Sequence, residues 1–355
     1  MVSKRMGTTM RPRALGVVEL RAVAAATLGC LLAAGVASSQ QGPPAGAVAA
    51  AQSVADDAVV ATVDGEPPIR YLDVKRQIVT ALRGRPIPAE ALPMIQAQAL
   101  EQVIYRRLLT ADFRRRGVKP TPAEEAKHDQ AFAAELARQG ISRDEYLQRN
   151  RLTDADLIEF RYWDLCWPKF LGEQLTDKRL QTFYDAHRRD YDGTEVRVSH
   201  VLFRVQGQRG QANNAAAIAT AAGVRADILA GKLTFAQAAA AHSDGPSREQ
   251  GGDLGFIPRR ERMVEEFAAA AFRLKKGEIS PPVITSFGIH LITVTDEKPG
   301  KLTLVDVREQ IMPVAAAELF RETGRDFRKT AKVEYSGAIP HVDPVSERVV
   351  PAGAR

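Results

Sequence analysis

Cysteine is nearly absent: the 355 residues hold two, Cys30 and Cys166. Cys30 falls in the N-terminal leader, so Cys166 has no partner for an internal disulfide, and a cysteine-stapled fold is excluded. Metal-ligand spacing is missing too. No HxxxH and no paired Cys/His pattern occurs, so neither a metal nor any other cofactor is expected. The absence of a GxSxG elbow argues against a Ser–His–Asp hydrolase. Beyond residue 39 no apolar run is long enough to span a bilayer. The basic excess is also thin once it is located. Of the formal +6, the first 38 residues carry +4, through Lys4, Arg5, Arg11, Arg13 and Arg21 against Glu19. The remaining +2 gives a nucleic-acid partner no compositional support.

What is present begins with that leader. A basic stretch precedes the uncharged run Ala22 to Ala37, then small and polar residues, so residues 1–38 read as a secretory signal. Cleavage near Ala37 or Ser38 would export the chain to an extracytoplasmic compartment. An uncleaved leader that anchors the chain in a membrane, and lipid attachment at Cys30, are the alternatives. Residues 39–56 are Gln-, Gly-, Pro- and Ala-rich and read as a linker. AVVATVDGEPPI (58–69) alternates and then bends at Asp64-Gly65, a strand and turn.

From Tyr71 to about Arg189 the pattern is helical. Ile95, Ala99, Val103 and Leu108 fall on one face, and Thr121 with Glu124, Ser142, Thr153 and Thr176 supply helix starts. Cys166, in YWDLCWP, reads as a packed thiol, and His128 and His187 read as solvated helix residues. At Glu195 the texture changes. EVRVSHVLFRV puts Val196, Val198, His200 and Leu202 on one face of a strand. There follow an Ala-rich helix (212–230), a short helix from Thr234 and the Gly-rich SDGPSREQGGDLGF (243–256). A helix over 262–274 and strands over 282–285 and 288–296 close an α+β unit. Beyond Pro299, residues 305–330 predict a helix interrupted near Pro313, Lys332–Tyr335 predicts a strand able to pair with AVVATV, and 337–355 predicts a loose tail.

RVSHVLF, FAQAAAAHSDGPSREQGGDLGF and RMVEEFAAAAFRLKKGEISPPVITSFGIHLI occur in that order. With these motifs residues 195–296 resemble a parvulin-type peptidyl-prolyl cis–trans isomerase. The flanking arms, with VATVDGEP and KVEYS, are similar to the SurA/PrsA-like exported chaperone-isomerases. The resemblance implies an α+β class: a parvulin-like four-stranded antiparallel sheet with helices, plus an all-α chaperone-like module built from N- and C-terminal arms. Domains are then expected at 57–190 (helical), 194–298 (isomerase), 302–336 (helix and strand packing on the N-terminal domain) and 337–355 (flexible tail). The implied activity is prolyl isomerisation, with holding of clients by the arms. Unfolded or partly folded exported polypeptides with X–Pro bonds are the implied partners. The alternative is a non-enzymatic periplasmic chaperone with a degenerate parvulin domain.

Isomerisation needs no covalent step. The X–Pro barrier is about 18–20 kcal/mol because rotation breaks amide resonance, and a catalyst has only to favour the twisted amide. An apolar pocket for the proline ring above a dry polar floor suits that task. The resemblance maps the pocket onto Leu254, Met263 and Phe267, with Phe256 and Ile257 beside them. It maps the floor onto His200 and His290, with Thr285 and Ser286. Read without it, the same residues are a core stripe and two buried structural histidines. One position departs from the family. Where many parvulins carry Cys or Asp, ungapped spacing places Gly245, and a one-residue shift brings in Asp244 instead. Arg204 and Arg209 are the only cations in the loop after the first strand, so no phosphate-directed specificity is expected.

Overall fold

The computed structural model describes residues 54–353 apart from 64, 83–86, 88 and 205–210. The leader, most of the linker, Asp64 of the expected turn and Arg209 lie outside the described residues. The chain divides into two compact units, residues up to 176 together with 313 onward, and residues 177–312.

In the first unit β1 (Val59–Val63) pairs antiparallel with β2 (Ile69–Arg70). α1 (Tyr71–Leu82) buries Val74, Ile78 and Leu82 against Ile95, Ala99, Leu100, Ile104 and Leu108 of α2 (Leu92–Arg115), the spacing of one helical face. α3 (Pro122–Gln139), α4 (Arg143–Asn150) and α5 (Asp154–Gln174) start at Thr121, Ser142 and Thr153. Each hydroxyl accepts the amide N–H three residues on, and Glu124 and Asp156 complete capping boxes. Trp163, Trp167 and Phe170 of α5 pack with Phe113 at ring separations of 5.2 to 5.9 Å. Cys166 is free and buried beside them, and burial pushes its thiol up, which makes it an unreactive core group.

The second unit opens with α6 (Asp177–Ala186) and α7 (Arg188–Tyr191), ahead of the strand. Arg189 donates to the carbonyls of Phe272 and Leu274 at 2.8 and 2.6 Å and pairs with Glu297 at 2.7 Å. These contacts draw residues 177–190 into the α+β unit, whereas helical texture alone assigned them to the N-terminal domain. β3 (Glu195–Phe203) is followed by α8 (Gln211–Leu229), α9 (Phe235–His242), β4 (Asp253–Pro258), α10 (Glu265–Arg273), β5 (Val283–Thr285) and β6 (Gly288–Lys298). The sheet is four-stranded and antiparallel in the order β4-β3-β6-β5. On one face α8 and α9 cover Val201, Phe203, Ile289 and Leu291; on the other α10 covers Val196, Val198, Ile292 and Val294. β3 is therefore buried on both faces from Val198 onward, which alternation in sequence does not reveal.

α11 (Leu304–Arg328) is continuous through Pro313, not interrupted there. A proline removes one backbone hydrogen bond, and the buried Val307, Ile311, Ala316 and Leu319 around it hold the helix together. β7 (Val333–Tyr335) then pairs with β1, Ala61 opposite Tyr335 and Val63 opposite Val333, to give the order β2-β1-β7. The tail is not loose. β8 (His341–Val342) and β9 (Val349–Val350) form a hairpin, Ile339 is buried in the first unit's core, and the His341 ring stacks on Tyr335 at 3.9 Å. Strands of two residues carry no periodicity; the buried Ile339 and Pro340, the ring stack and the hairpin's own backbone bonds are what order this segment. Among the described residues no helix is long and apolar enough to cross a membrane.

Candidate active site

The two central strands bring together residues ninety apart in sequence. In the β3–β6 register Leu202 lies opposite His290 and His200 opposite Ile292. The imidazoles stack at 5.4 Å and 21°, with the two Nδ1 atoms 3.2 Å apart. Next in line, Thr285 Oγ1 lies 2.9 Å from His290 Nε2, accepts the Phe287 N–H at 3.0 Å and stands 3.3 Å from the Gly288 carbonyl. Both rings are buried. Burial lowers the His200 pKa, and burial together with the neighbouring His200 takes His290 down to about 4. Both imidazoles are thus neutral at pH 7. Phe267 of α10 stands edge-on to each, at 5.8 Å and 78° to His200 and 5.3 Å and 82° to His290. The apolar wall and the polar floor meet at this ring.

Of the residues expected in the apolar pocket, Leu254, Ile257, Met263 and Phe267 share one cluster with Val283. Two of them arrive differently from expectation. Ile257 is wholly buried and serves as core. Met263 precedes α10, which starts at Glu265, and reaches the cluster from an irregular segment rather than from a shared helix face. Val264, at the helix start, offers no side-chain acceptor to begin the helix earlier. Phe256 is outside the cluster, with the Lys298 ammonium 3.8 Å from its ring centre. Ser286 lies exposed in the turn between β5 and β6.

Asp244 is not part of the histidine chain. Its exposed carboxylate accepts the Arg204 N–H at 2.8 Å, and its own N–H donates to Leu202 O at 2.7 Å, fastening the loop to the end of β3. Gly245 instead faces the imidazole. A Cβ placed there would stand 3.1 Å from His200 Nε2 and 3.2 Å from Ser243 Oγ. The ungapped spacing therefore holds, and the shift that would bring Asp244 into place does not occur. Sequence reasoning missed Ser243, whose buried hydroxyl oxygen accepts from the amides of Leu202 and Gly245, both at 3.1 Å. Its signal was present in the polar SDGPS run directly after a helix. Gly252 is forced by close approach: at φ +83° it accepts the His200 N–H at 2.9 Å, and a Cβ there would lie 2.3 Å from His200 O. The arrangement can hold a twisted amide against a neutral, ordered hydrogen-bond chain beneath an apolar wall. No side chain in it is set up as a nucleophile.

The family model described as Rotamase, PPIC-type PPIASE domain, matches residues 200–296. A Bordetella bronchiseptica protein named "Probable parvulin-type peptidyl-prolyl cis-trans isomerase" is 28% identical over 284 residues, covering 78% of this chain and 92% of that one. "Foldase protein PrsA 1" of Bacillus cereus is 36% identical over 138 residues, and this chain spans 41% of its length. A solved structure of peptidylprolyl isomerase (PrsA) from Bacillus anthracis aligns with a TM-score of 0.36 and 24% identity, over 65% of this chain and 95% of that one.

Proposed function

We propose, on the premise that residues 200–296 are a PPIC-type PPIase domain, that this chain catalyses cis–trans isomerisation of X–Pro bonds in exported polypeptides. The observation that carries the reading is the buried neutral chain His200–His290–Thr285, closed on one side by the edge of Phe267. An amide midway through rotation loses resonance and with it the charge that resonance puts on its carbonyl. A dry, preorganised polar floor favours that state over the planar one. Leu254 and Met263, half-buried beside Phe267, offer the proline ring an apolar wall. Phe267 and the histidines supply the wall and floor; Asp244 has no part in the step. The helical unit is assigned the holding of unfolded clients, and the leader their common destination outside the cytoplasm.

A protease-free prolyl-peptide exchange assay on the mature protein tests this. His290→Asn should lower exchange by distorting the floor without abolishing it. Phe267→Ala should weaken proline binding by roughly 1.5–3 kcal/mol, the worth of burying such a side chain. Unchanged exchange in both variants, with the fold intact, overturns the enzyme reading. One observation favours a second reading, that of a peptide-binding domain without turnover: Gly245 leaves His200 Nε2 buried with no hydrogen-bond partner among the described residues. Suppression of client aggregation by a protein with no measurable exchange would select it.

A further inference from the structure

Two neutral imidazoles that meet through their Nδ1 atoms share one proton, so the chain has two senses. In the first, His200 Nδ1–H donates to His290 Nδ1 at 3.2 Å and His290 Nε2–H donates to Thr285 Oγ1 at 2.9 Å. The Thr285 hydroxyl then donates to Gly288 O at 3.3 Å while Oγ1 still accepts the Phe287 N–H at 3.0 Å. His200 Nε2 is left as a bare lone pair. In the second sense every proton is reversed: Thr285 donates to His290 Nε2, His290 Nδ1–H donates to His200 Nδ1, and His200 Nε2 carries a hydrogen.

His200 Nε2 decides between them. It is shielded from solvent and has no hydrogen-bond partner among the described residues, and the residue facing it is Gly245, whose N–H is already given to Ser243 Oγ. The first sense makes four hydrogen bonds and satisfies every N–H and O–H in the chain. The second makes three, releases Gly288 O from Thr285 and leaves the Nε2–H of His200 without an acceptor. Buried donors without acceptors are the rarer defect in folded proteins.

We infer that Gly245 is a positioning residue that sets the direction of the histidine chain: with no side-chain acceptor at 245, protons run from His200 through His290 to Thr285. A carboxylate at 245 reverses them. The backbone permits the substitution, because Gly245 is not in the left-handed region and its Cβ contacts ask the neighbours for only a few tenths of an ångström. Gly245→Ala places the same Cβ without an acceptor. The direction follows from hydrogen-bond geometry alone; only its influence on exchange rests on the isomerase reading.

The test is imidazole ¹⁵N spectroscopy at neutral pH on the full mature chain, with His200 and His290 assigned by their single replacements. In the unsubstituted protein His200 should be protonated at Nδ1 and bare at Nε2, and His290 protonated at Nε2 and bare at Nδ1. Gly245→Ala should keep that pattern, and Gly245→Asp should interchange it in both rings. A hydrogen on His200 Nε2 in the unsubstituted protein overturns the inference, whatever the variants do. So does a folded Gly245→Asp protein with both rings unchanged. Prolyl exchange measured on the same samples keeps the two readings apart. The stated tautomers with no exchange support the direction and sink the isomerase reading, whereas the opposite tautomers with full exchange do the reverse.

Discussion

His200 and His290 are held neutral by burial, and this gives the α+β unit a definite response to acid. The unfolded chain binds protons on both rings below their ordinary pKa of 6.5, while the folded one resists until His290 reaches about 4. More protons on the unfolded side means that stability rises with pH across that window and is lost as pH falls through it. For His290 the interval from 6.5 to about 4 corresponds to on the order of 3 kcal/mol at 1.36 kcal/mol per pH unit. Urea midpoints of this unit should accordingly fall between pH 6.5 and 4, and exchange rates should stay flat from pH 7 to 8. A midpoint that rises on acidification would contradict the neutral pair. Phe267 touches both rings from the core, so Phe267→Ala should also destabilise the unit, by about 3–5 kcal/mol, read from the same titrations.

At the scale of the element, helix starts are the clearest local determinants. Thr121 and Thr153 each accept an amide N–H from the residue three positions on, and their own amides donate to the carboxylates of Glu124 and Asp156. Replacing either threonine by alanine should cost about 1 kcal/mol of the helical unit's stability, measured by chemical unfolding. Between α3 and α5 a histidine behaves oppositely to the buried pair. His128 lies 3.4 Å from Asp164 and 3.6 Å from Asp129, and hydrogen bonding to Asp164 raises its pKa despite partial burial. Its contribution is fully present below 6.5 and is lost as pH rises through the raised value. Removing the imidazole in His128→Gln should leave stability nearly unchanged at high pH and lower it in mild acid. Equal losses at both ends of the range would show that the pairing with Asp164 carries no charge.

For the whole molecule, both tryptophans, Trp163 and Trp167, lie in the first unit and the histidine chain lies in the second. Tryptophan fluorescence therefore reports one unit and prolyl exchange the other. Each unit carries apolar clusters of its own, one in the first and two in the second, so its unfolding is followed with its own probe. Between pH 6.5 and 5 the exchange-detected midpoint should move down with acid while the fluorescence midpoint holds or rises. Coincident midpoints at every pH would show one cooperative body. Ile339, from the C-terminal hairpin, is 3% exposed in the first unit's core. Ile339→Ala should then lower the fluorescence midpoint by about 2–5 kcal/mol of stability and leave the exchange-detected transition in place.

The sequence by itself determined what depends on short-range pattern. Helix starts at Thr121, Ser142, Thr153 and Thr234 were legible because a hydroxyl acts on an amide three residues away. The sheet strands around His200 and His290, and the order of motifs that ties residues 200–296 to a family, were legible for the same local reason. Tertiary structure decided what depends on distance through space. Whether Gly245 or Asp244 faces His200 turned on a loop whose path is fixed by Asp244 bonding to both Leu202 and Arg204. Phe256 and Ile257, neighbours in sequence, diverge because adjacent residues of a strand point to opposite faces. The tail's hairpin and the assignment of residues 177–190 rest on a buried Ile339 and on Arg189 reaching the carbonyls of Phe272 and Leu274. Such contacts join residues far apart in the chain, and no local window of sequence contains both partners.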